Sequence, residues 1–365
     1  MSKPKQTVRK TGPKDHRVRE RKLYNAITDV AGIEVGHCTD LEHLTGTTVI
    51  LARDGAVAGV DVRGSGPGTR ETDLLNPVNL IEKVYAVVLT GGSAYGLAAA
   101  DGVMHYLEKQ GIGFRVENGT VVPIVPAAAL FDLGRGEAGI TKRPDASFGF
   151  TACVQTSTGP VEQGNVGAGT GALTGTLIGN EVKGGIGTAS TNLGNGIIVG
   201  ALVAVNSGGS IVNPETGEFY AAFLETDNEF GVLKATFSLT PETSKKKRRT
   251  RGPHAINKTT IAVVATNIEL TKAQATKVAQ MAHDGLARAI RPAHTMFDGD
   301  TIFALSTGKK GIADMETRGR WGDQAAKLNA IGSAAADTLS RAIVHALITA
   351  RSIAGMQSYR DLYHR

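Results

Sequence analysis

Cysteine is nearly missing from this 365-residue chain, with Cys38 and Cys153 its only two. Two thiols cannot build a four-cysteine metal site, and they read as buried free thiols of a reducing compartment. Aromatic residues make up only 5% of the chain, too few for a wide platform on which single-stranded nucleic acid could stack. No stretch reaches the 18 consecutive apolar residues of a membrane span. The N-terminus is basic but has neither an apolar core segment nor a small-residue cleavage site, so no secretory signal is expected and the cytoplasm is the expected location. The nine histidines show no H-E-x-x-H or similar spacing, so neither a metal nor a cofactor is expected.

Glycine, by contrast, is plentiful: 46 residues, without the every-third-residue period of collagen. With 41% hydrophobic and 20% charged residues, the composition fits a soluble globular α/β or β-rich protein with many tight turns and close backbone approaches. The net charge of +6 is unevenly spread. Residues 1–22 hold nine Lys and Arg against Asp15 and Glu20, a local +7 that leaves the other 343 residues at −1. A second run, Lys245 to Arg249 with Arg251, adds six positive charges. Such runs read as solvated segments, with contact to RNA or an anionic surface as the alternative. The tail is therefore set apart as residues 1–24.

Strands are expected at Thr47 to Leu51, Gly59 to Val62 and Val84 to Leu89, with a turn cluster from Gly64 to Gly68. A helix should run from about Leu97 to Lys109, closed by Gly111. Val121 to Leu130 holds two prolines and reads as an edge strand or an extended segment. Gly164 to Gly196 reads as loop, and Ile197 to Val205 as a fully buried strand. A polar linker spans 239–258. At Thr259 a β-branched strand begins, followed by an amphipathic helix from about Thr271 to Ile290 with Val278, Met281, Ala282, Leu286 and Ile290 on one face. Another strand is expected at Thr301 to Leu305, then one or two helices between Ala325 and Ile353.

Two glycine-rich motifs carry less than their patterns suggest. Gly167-Ala-Gly-Thr-Gly-Ala172 matches G-x-G-x-x-A, but it lacks a preceding strand and an acid some 20 residues on, so it reads as a tight structural loop. Gly91-Gly-Ser-Ala-Tyr-Gly96 sits between strand and helix, yet Tyr95 stands where a nucleophile elbow needs glycine. Ser93 is better read as the start of the helix. The junction at Thr259 admits two readings. It is an ordinary linker meeting a strand, or a point of cleavage that gives Thr259 a free α-amine beside its own hydroxyl. Such an amine titrates near pH 8 and can serve as base for the Oγ. Asp298-Gly-Asp300 is, by itself, an ordinary turn.

Several segments in order raise the second reading. Gly59-Val-Asp-Val-Arg-Gly64, Gly66 to Leu74, Leu89 to Leu97, Gly164 to Gly171, Lys183-Gly-Gly-Ile-Gly-Thr188 and Asp298-Gly-Asp-Thr301 together resemble the L-aminopeptidase/D-esterase family, which includes the β-aminopeptidases. Thr259 to Phe303 is most similar to its 6-aminohexanoate-oligomer (nylon oligomer) hydrolase branch. The resemblance covers about residues 25 to 350. It implies an α/β fold, a four-layer αββα sandwich shared with ornithine acetyltransferase, in an N-terminal-nucleophile hydrolase that cuts itself. The pieces would be 25–258 and 259–365, assembled as a homotetramer. Thr259 would be the nucleophile, Asn206 the oxyanion donor, Lys183 the active-site lysine, and Asp298 and Asp300 the acids that orient the nucleophile and its amine.

Two departures stand out. Phe131 replaces a tyrosine of the nylon-hydrolase branch, and Lys258 precedes the nucleophile where the family commonly has Asn or Gly. The leading expectation is an amide hydrolase acting on short peptides or amide oligomers. Acyl transfer and a basic-tailed nucleic-acid or surface-binding role are the alternatives.

Overall fold

The central strands of this chain are apolar on both sides because both of their faces are covered. The computed structural model describes residues 22–117, 119–136, 141–231, 258–316 and 323–363. The basic tail up to residue 21, the basic run at 245–251 and the linker residues 239–257 lie outside the described residues. The strands are β1 (Glu34–Asp40), β2 (Thr45–Val62), β3 (Gly68–Arg70), β4 (Lys83–Thr90), β5 (Phe114–Arg115), β6 (Val121–Val122), β7 (Ala127–Ala129), β8 (Leu173–Thr174), β9 (Val182–Lys183), β10 (Gly185–Asn192), β11 (Ile198–Asn206), β12 (Thr259–Ile268) and β13 (Thr301–Lys310). The helices are α1 (Ala99–Glu108), α2 (Ala146–Val154), α3 (Lys272–Ala289), α4 (Asp323–Thr349) and α5 (Tyr359–Tyr363).

Nine strands share one hydrogen-bonded path in the order β10-β11-β12-β13-β2-β4-β7-β3, with β1 also on β2. The β12–β13 and β4–β7 pairs are parallel. β2 is the hinge of the architecture. Its first part pairs with β1 and β4, its last part with β13, and the β2–β4 register shifts between Leu51 and Ala56. The path thus folds into two facing sheets, and period-2 alternation sorts side chains into three cores.

Val199, Ala201, Val203, Ala262, Val264, Ile302 and Ala304 face α3 and α4. Their alternates Ile198, Leu202, Ile261, Val263, Phe303 and Leu305 face inward to meet Ile50, Val87 and Leu89. On the far side Val49, Leu51, Ala86 and Val88 pack under Val103 and Leu107 of α1 and Ala152 of α2. Three cores make four layers, an αββα sandwich.

Local chemistry supports these elements. Thr271 caps α3, accepting from the Gln274 N–H while Gln274 Oε1 accepts from the Thr271 N–H, a device worth about 1 kcal/mol. Val278, Ala282, Leu286 and Ile290 turn into the core, and half-buried Met281 packs over Gly332 of α4.

Three expectations need correction. The expected loop from Gly164 to Gly196 contains the β8–β9 hairpin and β10, an edge strand of the main sheet. A β-carbon at Gly187 would stand 2.0 Å from the Ala342 carbonyl, so glycine there lets α4 lie directly on the strand rather than marking a turn. In Val121 to Leu130, β7 is internal, between β4 and β3. Its prolines precede it, and the Ile124 and Pro126 carbonyls accept from the Tyr85 and Val88 N–H groups. Cys38 is half-buried rather than buried; Cys153 is buried, and both are free.

Candidate active site

Thr259 opens β12 directly opposite Asn206, the last residue of β11. Residues directly opposed across an antiparallel pair point to the same face, so both side chains lie on the inter-sheet side, in line with Ile261 and Ala204. Thr259 is 4% exposed and Lys258 6%. Lys258, the residue before Thr259, is held at both ends: its N–H donates to the Phe297 carbonyl, and its carbonyl accepts from the Gly299 N–H, each at 3.0 Å. A β-carbon on residue 299 would meet Thr259 Oγ1 at 2.8 Å and the Gly66 carbonyl at 2.7 Å. Only glycine lets this backbone sit against the hydroxyl.

Asp298-Gly-Asp300 is therefore more than a turn. Its backbone docks on the Gly64 to Gly68 segment, with the Gly66 N–H on the Asp298 carbonyl at 2.9 Å and the Arg63 N–H on the Asp300 carbonyl at 3.0 Å. The Asp298 carboxylate takes the Thr295 N–H at 2.8 Å and the Thr295 hydroxyl at 2.5 Å. Burial, and then the nearby Asp300 charge, push it above the usual carboxylate range. Asp300 Oδ1 accepts from the Thr260 N–H at 2.8 Å, and Oδ2 from the His294 Nδ1 at 2.8 Å and the His294 N–H at 3.1 Å. Asp300 thus grips β12 one residue past Thr259.

Asn206 is fixed by three bonds. Its Nδ2 donates to the Phe131 carbonyl at 3.1 Å, and its Oδ1 accepts from the Leu173 N–H at 3.0 Å and Arg135 Nη2 at 3.2 Å. Residue 131 thus serves through its backbone, whatever ring it carries. Lys183 ends β9, immediately before β10, whose Gly185 pairs with Val205 beside Asn206. It is fully buried, and its Nζ donates to the Gly184 carbonyl at 2.7 Å and the Gly169 carbonyl at 2.9 Å. Burial first, then the Arg135 charge, hold its ammonium well below the usual lysine range, against the pull of Asp132.

Thr259, Lys258, Asn206, Asp298 and Asp300 meet through direct contacts or strand pairing, whereas Lys183 bonds the Gly169 and Gly184 carbonyls and is linked to the others only by the charge of Arg135, which also bonds Asn206. Three residues of the assembly carried no signal in the sequence: Arg135, His294 and Asp132. Buried Asp132 accepts from the Gly92 N–H at 2.7 Å and the Thr45 hydroxyl at 2.9 Å, yet burial raises its carboxyl to about 6. It is what the Gly91 to Gly96 segment binds. Ser93 begins a 3₁₀ turn before α1, but the cap position is Gly92 and no side chain caps it. The 167–172 motif is a structural loop whose Gly169 carbonyl takes Lys183, and no α-helix follows it. Among the described residues no three His, Cys, Asp or Glu side chains converge as metal ligands would. No described helix is long and apolar enough to cross a membrane.

A sequence profile of peptidase family S58 matches residues 25–360. The chain belongs to this family. A Mycobacterium tuberculosis protein called an uncharacterized aminopeptidase is 43% identical over 93% of this chain and 98% of its own length. A 6-aminohexanoate-oligomer endohydrolase of Kocuria sp. is 29% identical over 84% of this chain and 82% of its own. Among solved structures, a Burkholderia sp. β-aminopeptidase superposes with a TM-score of 0.64 at 26% identity, covering 93% of this chain and 91% of that one.

An L-aminopeptidase D-Ala-esterase/amidase from Ochrobactrum anthropi, described as a variant of the Ntn-hydrolase fold, matches at TM-score 0.63 and 23% identity, over 90% of this chain and 87% of that one. That last likeness bears on fold alone, and it agrees with the four layers seen here. Family S58 membership makes this chain a hydrolase of peptide or amide bonds. The matched proteins give no support to the acyl-transfer or nucleic-acid alternatives.

Proposed function

We propose that this S58 hydrolase matures by cutting itself between Lys258 and Thr259 and then works through Thr259 as an N-terminal nucleophile. The observation that carries the proposal is the setting of that one peptide bond. Its carbonyl already accepts a backbone N–H from Gly299, and the Thr259 Oγ1 lies against the same glycine. Attack by Oγ1 on the Lys258 carbonyl carbon would form a tetrahedral oxyanion facing the Gly299 donor. Collapse breaks the C–N bond, moves the acyl group to oxygen and frees the Thr259 amine. Water then cleaves the ester and releases the Lys258 carboxylate.

In turnover the freed amine takes the Oγ1 proton as Oγ1 attacks a substrate amide, then passes it to the leaving amine. Asn206 lies on the nucleophile's face to stabilise the oxyanion through Nδ2, and the role we assign Lys183 is to steady the developing alkoxide. Asp300 and Asp298 orient the strand and its new amine. The acyl-enzyme is then hydrolysed by water.

The two pieces would stay joined after cleavage. Main-chain pairing of β11 with β12 runs across the cut, from Asn206–Thr259 to Val199–Thr266. Glu229 adds a buried clamp, bonded to Arg341 through both its oxygens and to His345 at 2.8 Å.

The substrates we assign are short peptides or amide oligomers, as the relatives' names suggest. The assembly we assign is a cytoplasmic homotetramer of two-piece units, which light scattering on purified protein tests. The reading itself is tested by Thr259→Ala, assayed for self-cleavage and for release of amine from aminoacyl amides. Loss of both is expected, and retained amidase activity would overturn the assignment.

A further inference from the structure

We infer that His294 is a positioning residue of this site, acting on the nucleophile strand through Asp300. The inference rests on the nucleophile reading just given. One carboxylate joins the two segments: Asp300 Oδ1 holds the Thr260 N–H, next to the nucleophile, and Asp300 Oδ2 holds both the ring and the backbone N–H of His294. Removing the imidazole would leave that oxygen with one donor and the carboxylate freer to turn.

The protonation pattern of the ring follows from its partners. A carboxylate acceptor requires a proton on Nδ1. The ring's Nε2 is buried and, among the described residues, has no hydrogen-bond partner. Against it lies the ring of His283 from α3, edge-on, with centroids 4.9 Å apart. His283 Nε2 is 2.9 Å from the Asp61 main-chain carbonyl, which can only accept, and among the described residues its buried Nδ1 has no partner either.

His294 also holds a left-handed backbone, φ +56°. An orphaned ring nitrogen and an unfavourable backbone both fall on the residue that grips Asp300. Such costs persist where the arrangement serves a site rather than packing alone. The titratable and charged groups around the ring are Asp300, with Asp298 beyond it, on the loop, and His283 on α3. Behind His283 stand Asp61, 3.6 Å from its Nε2, and Arg63, paired to Asp61 at 2.8 Å. Burial keeps His283 neutral at neutral pH, with its pKa lowered to about 4, so Asp300 meets no competing cation from that side.

The experiment compares His294→Gly with His294→Asn in the full chain. Glycine accepts the left-handed backbone and removes the ring donor. Asparagine also tolerates that backbone and offers an amide N–H in place of Nδ1. The readouts are the self-cleavage rate, from intact mass over time, and the rate of amide turnover, each with and without rescue by the asparagine variant. Expected for His294→Gly is at least a tenfold fall in both rates, because the carboxylate that holds the Thr260 N–H loses its ring donor. His294→Asn should recover most of the lost rate.

Wild-type rates in His294→Gly would overturn the inference, and so would an asparagine variant as impaired as the glycine one. Should His294→Gly fail to fold, His294→Asp carries the same expectation, because it is isosteric with asparagine but presents only acceptors to Asp300. Thr259→Ala separates the two levels. If that variant still turns over, the nucleophile reading falls and this inference with it. If it is inert while His294→Gly behaves as wild type, only the role of His294 falls.

Discussion

Replacing Gly299 by alanine tests the geometry of the nucleophile with a single methyl group. Gly299 has no positive φ, so its backbone accepts an L-residue and the effect is one of space alone. The new β-carbon would stand 2.7 Å from the Gly66 carbonyl, 2.8 Å from Thr259 Oγ1 and 3.1 Å from Pro67 Cα. An unstrained carbon-to-oxygen contact needs about 3.3 Å, so the hydroxyl and the Gly66 backbone must each yield by roughly 0.5 Å. Overpacking of this kind costs about 1–3 kcal/mol of stability. A shift of about 1 Å in a reacting group costs on the order of 10²-fold. Self-cleavage should therefore slow roughly ten- to a hundredfold, while the melting temperature falls by only a few degrees. A denaturing gel or intact-mass time course beside a thermal melt reads both. Cleavage at the wild-type rate in folded Gly299→Ala would show that Oγ1 does not act from where it lies.

Asn206→Ala should lower kcat by about 10²–10³, the loss typical of one oxyanion donor; a change of less than threefold in amide turnover would count against its role. Lys183→Met should abolish turnover without lowering the melting temperature at pH 7. The folded-state pKa of this lysine lies below its unfolded value, so the unfolded chain binds the extra proton and burying the amine is a cost that Met removes. A clear drop in melting temperature would contradict that. For Asp132 the sign runs the other way. Its folded pKa of about 6 exceeds the ordinary 3.8, so the folded chain holds a proton the unfolded chain has released. Its contribution to stability falls as pH rises from about 4 to 6, by up to about 3 kcal/mol. Asp132→Asn should flatten that part of the stability–pH curve, and chemical denaturation at pH 4.5 and 7 measures it.

The sheet was legible where burial on both faces writes a continuous apolar run. Ile197 to Val205 and Thr259 to Thr266 became β11 and β12, every residue of them buried. β10 was missed because its glycines reflect close backbone approaches, Gly185 to Gly164 and Gly187 to α4 more than 150 residues on, that no local pattern records. In the site, Thr259 stood out by the chemistry of a hydroxyl at a strand's first position. Lys183, Asn206, Asp298 and Asp300 were found through resemblance alone, since an isolated lysine or a D-G-D turn has an ordinary use. Arg135, Asp132 and His294 gave no sign. Each matters for what it touches, and Asn206, Gly92 and Asp300 reach them only after folding.

The central claim is that the bond between Lys258 and Thr259 is cut and that Thr259 becomes an N-terminus. Intact mass of the purified protein, with N-terminal sequencing of the smaller piece, tests it most directly. The account predicts two masses that sum to the full chain plus one water, a smaller piece beginning Thr-Thr-Ile-Ala, and no cleavage in Thr259→Ala. A single uncut chain that hydrolyses amides at full rate would contradict it.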